Sequence, residues 1–150
     1  MSERSTEHAT FVIERALAAA PQRAFAAWAT VEAKSKWFGP PSMDGYDFEF
    51  RPGGHERFVA DVPDGARYRY DALYHDVVPE ERIVYTYEMY RDEDRISVSV
   101  ATIEFAAGAD GGTAMTVTEQ GVYLDGHDTA AIREHGTREL LEKLAKVVSG

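Results

Sequence analysis

The sequence contains no cysteine and no long uninterrupted hydrophobic segment. The absence of cysteine excludes disulfide bonds, thiolate catalysis and cysteine-ligated metal sites. No segment approaches the roughly 20 apolar residues that a membrane-spanning helix needs. The opening residues MSERSTEHAT lack the basic start and apolar middle of a signal peptide. We therefore expect a cytoplasmic protein that does not associate with membranes.

Basic residues are also scarce. The chain has 16 Lys and Arg against 26 Asp and Glu, a formal net charge of −10. A surface of this sign repels the phosphate backbone of nucleic acids and anionic lipid headgroups. We therefore expect no nucleic-acid partner.

Motifs that hold phosphate groups, metals or activated nucleophiles are likewise missing. The glycine pair in FEFRPGGHERF, residues 48–58, fits neither the G-x-G-x-x-G nor the G-x-x-x-x-G-K-[ST] spacing. Pro52 followed by Gly53 is instead the pair that a type II turn prefers at its centre, so this segment predicts a hairpin turn. The five histidines have no metal-ligand spacing, and no G-x-S-x-G motif is present. No cofactor and no metal are predicted.

Apolar residues are plentiful by comparison. Hydrophobic residues make up 44% of the 150 residues and aromatic residues 11%, enough for one domain with a sizeable core. We predict a disordered N-terminal tail over residues 1–10 and a single domain over residues 11–150.

The hydrophobic periodicity predicts an α+β fold. A first strand begins at Phe11, and helical spacing runs from Pro21 to Phe38, where Gly39, Pro40 and Pro41 end it. A period of two then predicts strands at 46–50, 55–61, 67–78, 82–90, 96–106 and 113–123. Helical spacing returns from Asp128, a candidate N-cap, to Val148. The apolar face of this last helix comprises Ile132, Gly136, Leu140, Leu144 and Val147, with Leu141 and Val148 beside it. An antiparallel sheet must cover one apolar face, and this helix is long enough to do so.

Five segments together resemble a known family. They are PQRAFAAW at 21–28, KWFGP at 36–40, FRPGG at 50–54, VVPEERIVYTY at 77–87 and GTAMT at 112–116. In this order they resemble the family of homologues of the activator of heat-shock protein 90 ATPase, a branch of the START-like (SRPBCC) superfamily. The resemblance extends from Phe11 to Val148. It implies the helix-grip fold, in which a curved antiparallel sheet wraps around a long C-terminal helix and a cavity lies between them.

Three positions depart from the usual pattern of that family. Glu56 stands where an apolar residue is usual, Ala72 replaces a glycine, and Thr137 replaces a common tryptophan. Glu56 would add a carboxylate to the cavity wall, and Thr137 would remove an indole from it. The resemblance therefore does not identify a ligand.

Tyrosines dominate the predicted inner face of the fourth and fifth strands. Core packing explains rings of this kind, but an aromatic wall with a few hydroxyls also suits a flat, mostly apolar ligand. The residues that we expect to contact such a ligand are Trp28, Trp37, Phe48, Phe50, Phe58, Tyr70, Tyr85, Tyr87, Met115, Val117, Ile132 and Leu140.

Two carboxylates share the register of this inner face. Glu56 alternates with Phe58, and Glu119 alternates with Val117. Each side chain either reaches water at a strand end or bulge, or projects into the cavity, where it could bind a donor group or act as a general acid or base. Arg57 or Arg69 could neutralise them. Arg133 belongs to a charged set that we interpret as a solvated face of the last helix.

Three functions follow from these observations. The first is binding of a small apolar or aromatic molecule in the cavity. The second is an enzyme of the cyclase, hydratase or hydrolase kind that uses Glu56 or Glu119 as acid or base. The third, implied by the family name, is a chaperone partner; it is less favoured because the separate N-terminal domain associated with ATPase stimulation in eukaryotic relatives is not seen in this sequence.

Overall fold

A computed structural model describes residues 4–39 and 44–149 of the chain. It has the helix-grip fold: one curved antiparallel sheet of seven strands with a long C-terminal helix against its concave face. The elements are β1 (Thr6–Leu17), α1 (Pro21–Ala29), α2 (Val31–Lys34), β2 (Asp44–Phe48), β3 (His55–Asp61), β4 (Arg67–Val78), β5 (Arg82–Arg91), β6 (Asp94–Ala107), a 3₁₀ turn (Ala109–Gly111), β7 (Thr113–Leu124) and α3 (Ala130–Ser149).

The strand order is β1-β7-β6-β5-β4-β3-β2. Strands β2 to β7 follow one another as neighbours, so the sheet is a meander to which β1 adds at the far edge beside β7. Alternation of buried and exposed side chains along β3, β4 and β5 confirms the predicted period of two. Among the described residues, no helix has the length and apolar content needed to cross a membrane.

The predicted turn at the glycine pair is confirmed. Gly53 has φ +81°, as the second central residue of a type II turn requires, and Gly54 N donates to Arg51 O at 2.8 Å. Gly53 N donates to Tyr74 O, also at 2.8 Å. Because these two N–H groups are engaged within the chain, the turn does not present them to an anion.

The N-terminal prediction was wrong for residues 6–10. We expected a disordered tail up to residue 10, whereas Thr6–Thr10 extend β1 and pair with Gln120–Leu124 of β7. These side chains are largely exposed, so they carry no apolar signal. An edge strand is held by backbone hydrogen bonds to its neighbour, which do not depend on side-chain type.

The predicted helix from Pro21 to Phe38 is interrupted. Thr30 has an extended conformation (φ −125°, ψ 151°) and caps α2 by accepting a hydrogen bond from Ala33 N at 3.2 Å. Trp37 Nε1 donates to Ala27 O at 2.9 Å, which fastens the segment after α2 to α1. The break turns Lys34 inward, where it is fully buried. Pro40 and Pro41, predicted to end the helix, lie outside the described residues.

Only the second half of α3 is packed as predicted. Leu141, Leu144 and Val148 are buried in the core, whereas Ile132 is 64% exposed. The predicted cap is also corrected, because Thr129 Oγ1 rather than Asp128 accepts the hydrogen bond from Ile132 N, at 3.1 Å. The first half of α3 therefore lies over a space rather than over filled core.

Candidate functional site

A cavity of about 270 Å³ lies between the concave face of the sheet and the first half of α3. This volume is slightly below the roughly 300–1,000 Å³ range of most ligand pockets. Eight of the twelve predicted contact residues line it: Trp28, Trp37, Tyr70, Tyr85, Tyr87, Val117, Ile132 and Leu140. Phe38 adds a sixth aromatic ring to the wall.

The other four predicted residues are packed away from the cavity. Phe58 stacks on Tyr70 with ring centroids 5.2 Å apart, and Phe48 stacks on Phe50 at 6.0 Å. Met115 is 1% exposed within the core. The inner face is therefore filled by its own rings beside β2 and β3, and the hollow part is confined to the region beneath the start of α3.

Glu56 is buried, as one sequence hypothesis required, but it does not line the cavity. Its Oε1 lies 2.6 Å from Lys34 Nζ and accepts a hydrogen bond from Tyr74 Oη at 2.6 Å, and its Oε2 accepts one from Tyr46 Oη at 2.9 Å. Lys34 Nζ also lies 3.1 Å from Tyr74 Oη and 4.4 Å from the ring centroid of Phe38. Both carboxylate oxygens are thus engaged in a closed cluster, which argues against an acid or base role for Glu56.

The partner of Glu56 was not predicted. Arg57 and Arg69, the candidates from sequence, both pair with Asp71, at 2.7 Å and 3.4 Å. Burial lowers the pKa of Lys34, and the neighbouring Glu56 carboxylate opposes that effect. The sequence held only a weak signal for this ion pair. Lys34 lies between Trp28 and Trp37 in the sequence, and Glu56 occupies a strand position whose neighbours in register are apolar.

Glu119 does line the cavity and is 3% exposed. Tyr87 Oη donates a hydrogen bond to Glu119 Oε2 at 2.7 Å and accepts one from Arg133 Nη1 at 2.9 Å. Arg133 Nη2 donates to Asp128 Oδ2 and to Ser97 Oγ, both at 2.8 Å. These groups form the polar end of the cavity.

Arg133 corrects the interpretation of the last helix as a charged, solvated face. Its side chain is only 12% exposed, and its guanidinium carbon lies 5.5 Å from the ring centroid of Tyr87 and 5.4 Å from that of Tyr123. Ser97 is small enough to leave room for the guanidinium above the sheet. Helical periodicity could not reveal this, because a long charged side chain in the first turns of a helix is normally solvated.

Burial dominates the electrostatics of Glu119. It raises the pKa of this carboxyl, while the hydrogen bond from Tyr87 and the charge of Arg133 act in the opposite direction. Burial also raises the pKa of Tyr87, and the Glu119 carboxylate adds to that rise. Tyr87 therefore donates to Glu119 as a neutral phenol.

Two buried polar atoms of residues that line the cavity have no hydrogen-bond partner in the described part of the chain. They are Trp28 Nε1 and Tyr70 Oη. The Tyr70 hydroxyl lies near that of Tyr85 and opposes the rise in the Tyr85 pKa that burial causes, but the geometry falls short of a hydrogen bond. Buried polar groups are normally paired, and these two atoms are exceptions. Neither atom has exposed surface, so neither is counted among the groups that a molecule in the cavity would contact.

The cavity opens at the first half of α3. Ile132 both lines the cavity and is exposed, and Gly136 lines it one turn further along. A Cβ atom added at Gly136 would meet nothing within 4 Å. Thr137 also lines the wall, and its hydroxyl donates to Arg133 O at 2.9 Å. Small residues therefore keep this entrance open.

The fold and the cavity together define a class: a helix-grip α+β domain with an aromatic cavity beneath its terminal helix. Residues 18–149 match the family described as "Activator of Hsp90 ATPase homolog 1-like protein". The chain belongs to this family, a START-like family whose members commonly bind hydrophobic ligands.

Solved structures agree with this assignment. A putative uncharacterised protein from Rhizobium leguminosarum is 45% identical, with a TM-score of 0.92 and coverage of 99% of each chain. A protein from Rhizobium loti is 39% identical, with a TM-score of 0.89 and coverage of 95% of this chain and 99% of that one. A protein from Chromobacterium violaceum, 23% identical with a TM-score of 0.79 and coverage of 94% and 97%, shares the fold. No curated protein matches the chain.

Proposed function

We propose that this protein binds a compact, mostly apolar or aromatic small molecule in the cavity between the sheet and α3. The observation that carries the proposal is the cavity itself: about 270 Å³ of space walled by six aromatic side chains, with one polar end. A chain with no use for this space would gain stability by filling it, because unfilled volume forfeits packing. Its size favours a molecule of one or two rings.

The proposed orientation of the ligand follows from the wall. The apolar body packs against Trp28, Trp37 and Tyr85, while a polar substituent reaches Glu119. Four of the residues predicted from the sequence are not proposed as ligand contacts, because they pack in the core outside the cavity lining: Phe48, Phe50, Phe58 and Met115.

The test uses the two tryptophans of the chain, because both line the cavity. Phenolic, flat polyketide-like and lipid compounds are titrated while tryptophan fluorescence and the melting temperature are followed. We expect saturable quenching and stabilisation by at least one compact aromatic class. Gly136→Phe places a ring at the entrance and should abolish both effects, whereas Gly136→Ala, the matched control, should retain them. Saturable binding that Gly136→Phe leaves unchanged would overturn this location.

An enzymatic role is the second candidate, and one observation favours it. Glu119 lines the cavity, and burial raises its pKa, as general acids and bases require. Mass spectrometry of bound compounds after incubation separates the two functions. Turnover that Glu119→Gln abolishes would indicate catalysis, whereas unchanged ligand indicates binding alone.

Two further expectations concern a cytoplasmic location and a contact with a chaperone. The name of the family refers to an activator of a chaperone ATPase, and a chaperone contact by this chain is a hypothesis that follows from that name. A pull-down with the chaperone, with and without a cavity ligand, tests it. Cell fractionation tests the location.

A further inference from the structure

The charges around the cavity are unbalanced. Among the described residues, three charged side chains line it: Glu119, Asp128 and Arg133. With both carboxylates ionised, two negative charges face one positive charge. The closest ion pair that Arg133 makes in this group is with Asp128, at 2.8 Å, whereas its approach to Glu119 is 3.9 Å. Glu119 therefore shares its counter-ion, Arg133, with Asp128, which lies closer to the guanidinium group.

Lys34, a second buried positive charge, does not correct this balance. Lys34 lies behind the wall, 4.4 Å from the ring centroid of Phe38, but its ammonium group is 2.6 Å from Glu56. Lys34 and Glu56 are both fully buried, and their opposite charges neutralise each other. The wall beside Glu119 keeps its excess negative charge.

Six aromatic side chains line the same wall. The indoles of Trp28 and Trp37 lie among them, and indole binds cations more strongly than the other aromatic rings. A cation between such faces and a carboxylate is stabilised by both, so the loss of its hydration is offset. The net charge of −10 on the whole chain also favours the approach of cations over anions.

We propose that the ligand of this cavity carries a positively charged nitrogen, a substituted ammonium group, on its compact apolar body. The ammonium group lies beside Glu119 and supplies a second positive charge, which balances the two carboxylates of the wall. The apolar body lies against the aromatic wall. This inference rests on the proposed function, since it specifies the chemical class of molecule that the same cavity takes.

Three probes of nearly equal shape and different charge test the inference. They are phenyltrimethylammonium, its neutral isostere tert-butylbenzene, and the anion benzenesulfonate. Each is titrated into the whole protein while tryptophan fluorescence is followed. The variant is Glu119→Gln, which retains an acceptor for Tyr87; the control is Glu104→Gln, which removes one exposed carboxylate on β6.

We expect the cation to bind at least about tenfold more tightly than the anion, a difference of about 1.4 kcal/mol. Glu119→Gln should lower the affinity for the cation by about tenfold and the affinity for tert-butylbenzene by less than about twofold. Glu104→Gln should change neither affinity. If the Glu119 variant does not fold, the comparison of cation and anion on the unmodified protein decides alone.

The inference is overturned if benzenesulfonate binds as well as or better than the cation, which would make Arg133 the recognition group. It is also overturned if tert-butylbenzene binds and the cation does not, or if Glu119→Gln leaves the affinity for the cation unchanged. In those cases binding in the cavity still stands. If no probe binds, the inference and the proposed function fail together for ligands of this size.

Discussion

Replacing Lys34 with methionine should destabilise the protein strongly. The substitution keeps the length and apolar stem of the side chain but removes its charge. Glu56, 0% exposed, would then retain its negative charge with only the hydroxyls of Tyr74 and Tyr46 as partners. Breaking a buried ion pair by removing one partner costs about 3–5 kcal/mol. That is a large share of the roughly 5–15 kcal/mol by which a domain is usually stable.

An exposed ion pair of the same length provides the control. Arg82 Nε lies 2.6 Å from Asp76 Oδ2, as Lys34 Nζ does from Glu56 Oε1, but the two side chains are 52% and 41% exposed. Exposed pairs contribute only about 0–1 kcal/mol. Arg82→Met should therefore change the free energy of unfolding by less than about 1 kcal/mol.

Urea unfolding of each variant, followed by tryptophan fluorescence and far-UV circular dichroism, gives these free energies. The double variant Lys34→Met with Glu56→Leu removes both charges, and it should recover part of the loss because no buried charge is left unpaired. The reasoning is refuted if Lys34→Met and Arg82→Met cost the same. A double variant that is as unstable as the sum of its two single variants would also refute it, because the two groups would then be uncoupled.

Three further predictions concern Glu119 and two glycines. Burial raises the folded-state pKa of the Glu119 carboxyl above its ordinary value of 4.5. A carboxyl whose pKa is raised by folding contributes stability at low pH, and this contribution is lost as the pH rises through the folded-state pKa. Urea unfolding between pH 4 and 8 should therefore show that wild type loses stability relative to Glu119→Gln as pH rises, and a constant difference would contradict the assignment. Gly136→Ala should raise stability by about 0.5–1 kcal/mol, since the site is open and alanine favours helices; a lower melting temperature would show that the space is filled. The same substitution at Gly54 should cost about 1–3 kcal/mol, because the new Cβ would collide with the backbone oxygen of Glu49, and an unchanged unfolding midpoint would refute the turn geometry.

The strands were predictable because their signals are local. The period of two in β3 to β5 and the turn at Pro52 and Gly53 depend only on side chains a few residues apart. The family resemblance supplied the wrapping of the sheet around α3, which local patterns alone do not specify. The extension of β1 to Thr6 escaped prediction because it depends on pairing with β7, more than 100 residues away.

For the polar groups of the site, the sequence predicted the two buried carboxylates but not their positively charged partners. Register placed Glu56 and Glu119 on the inner face, and both are buried there. Their partners Lys34 and Arg133 were missed, since a long charged side chain is buried only where tertiary structure brings a counter-charge to it. Register also could not distinguish a ring that lines hollow space, such as Tyr85, from one packed against other rings, such as Phe58.

A crystal structure of the protein soaked with tert-butylbenzene tests the central claim most directly. The account predicts electron density for one molecule beneath the first half of α3, in contact with Trp28, Tyr85 and Ile132, with the surrounding side chains in place. Side chains closed over the same space, leaving no room for a single ring, would contradict it.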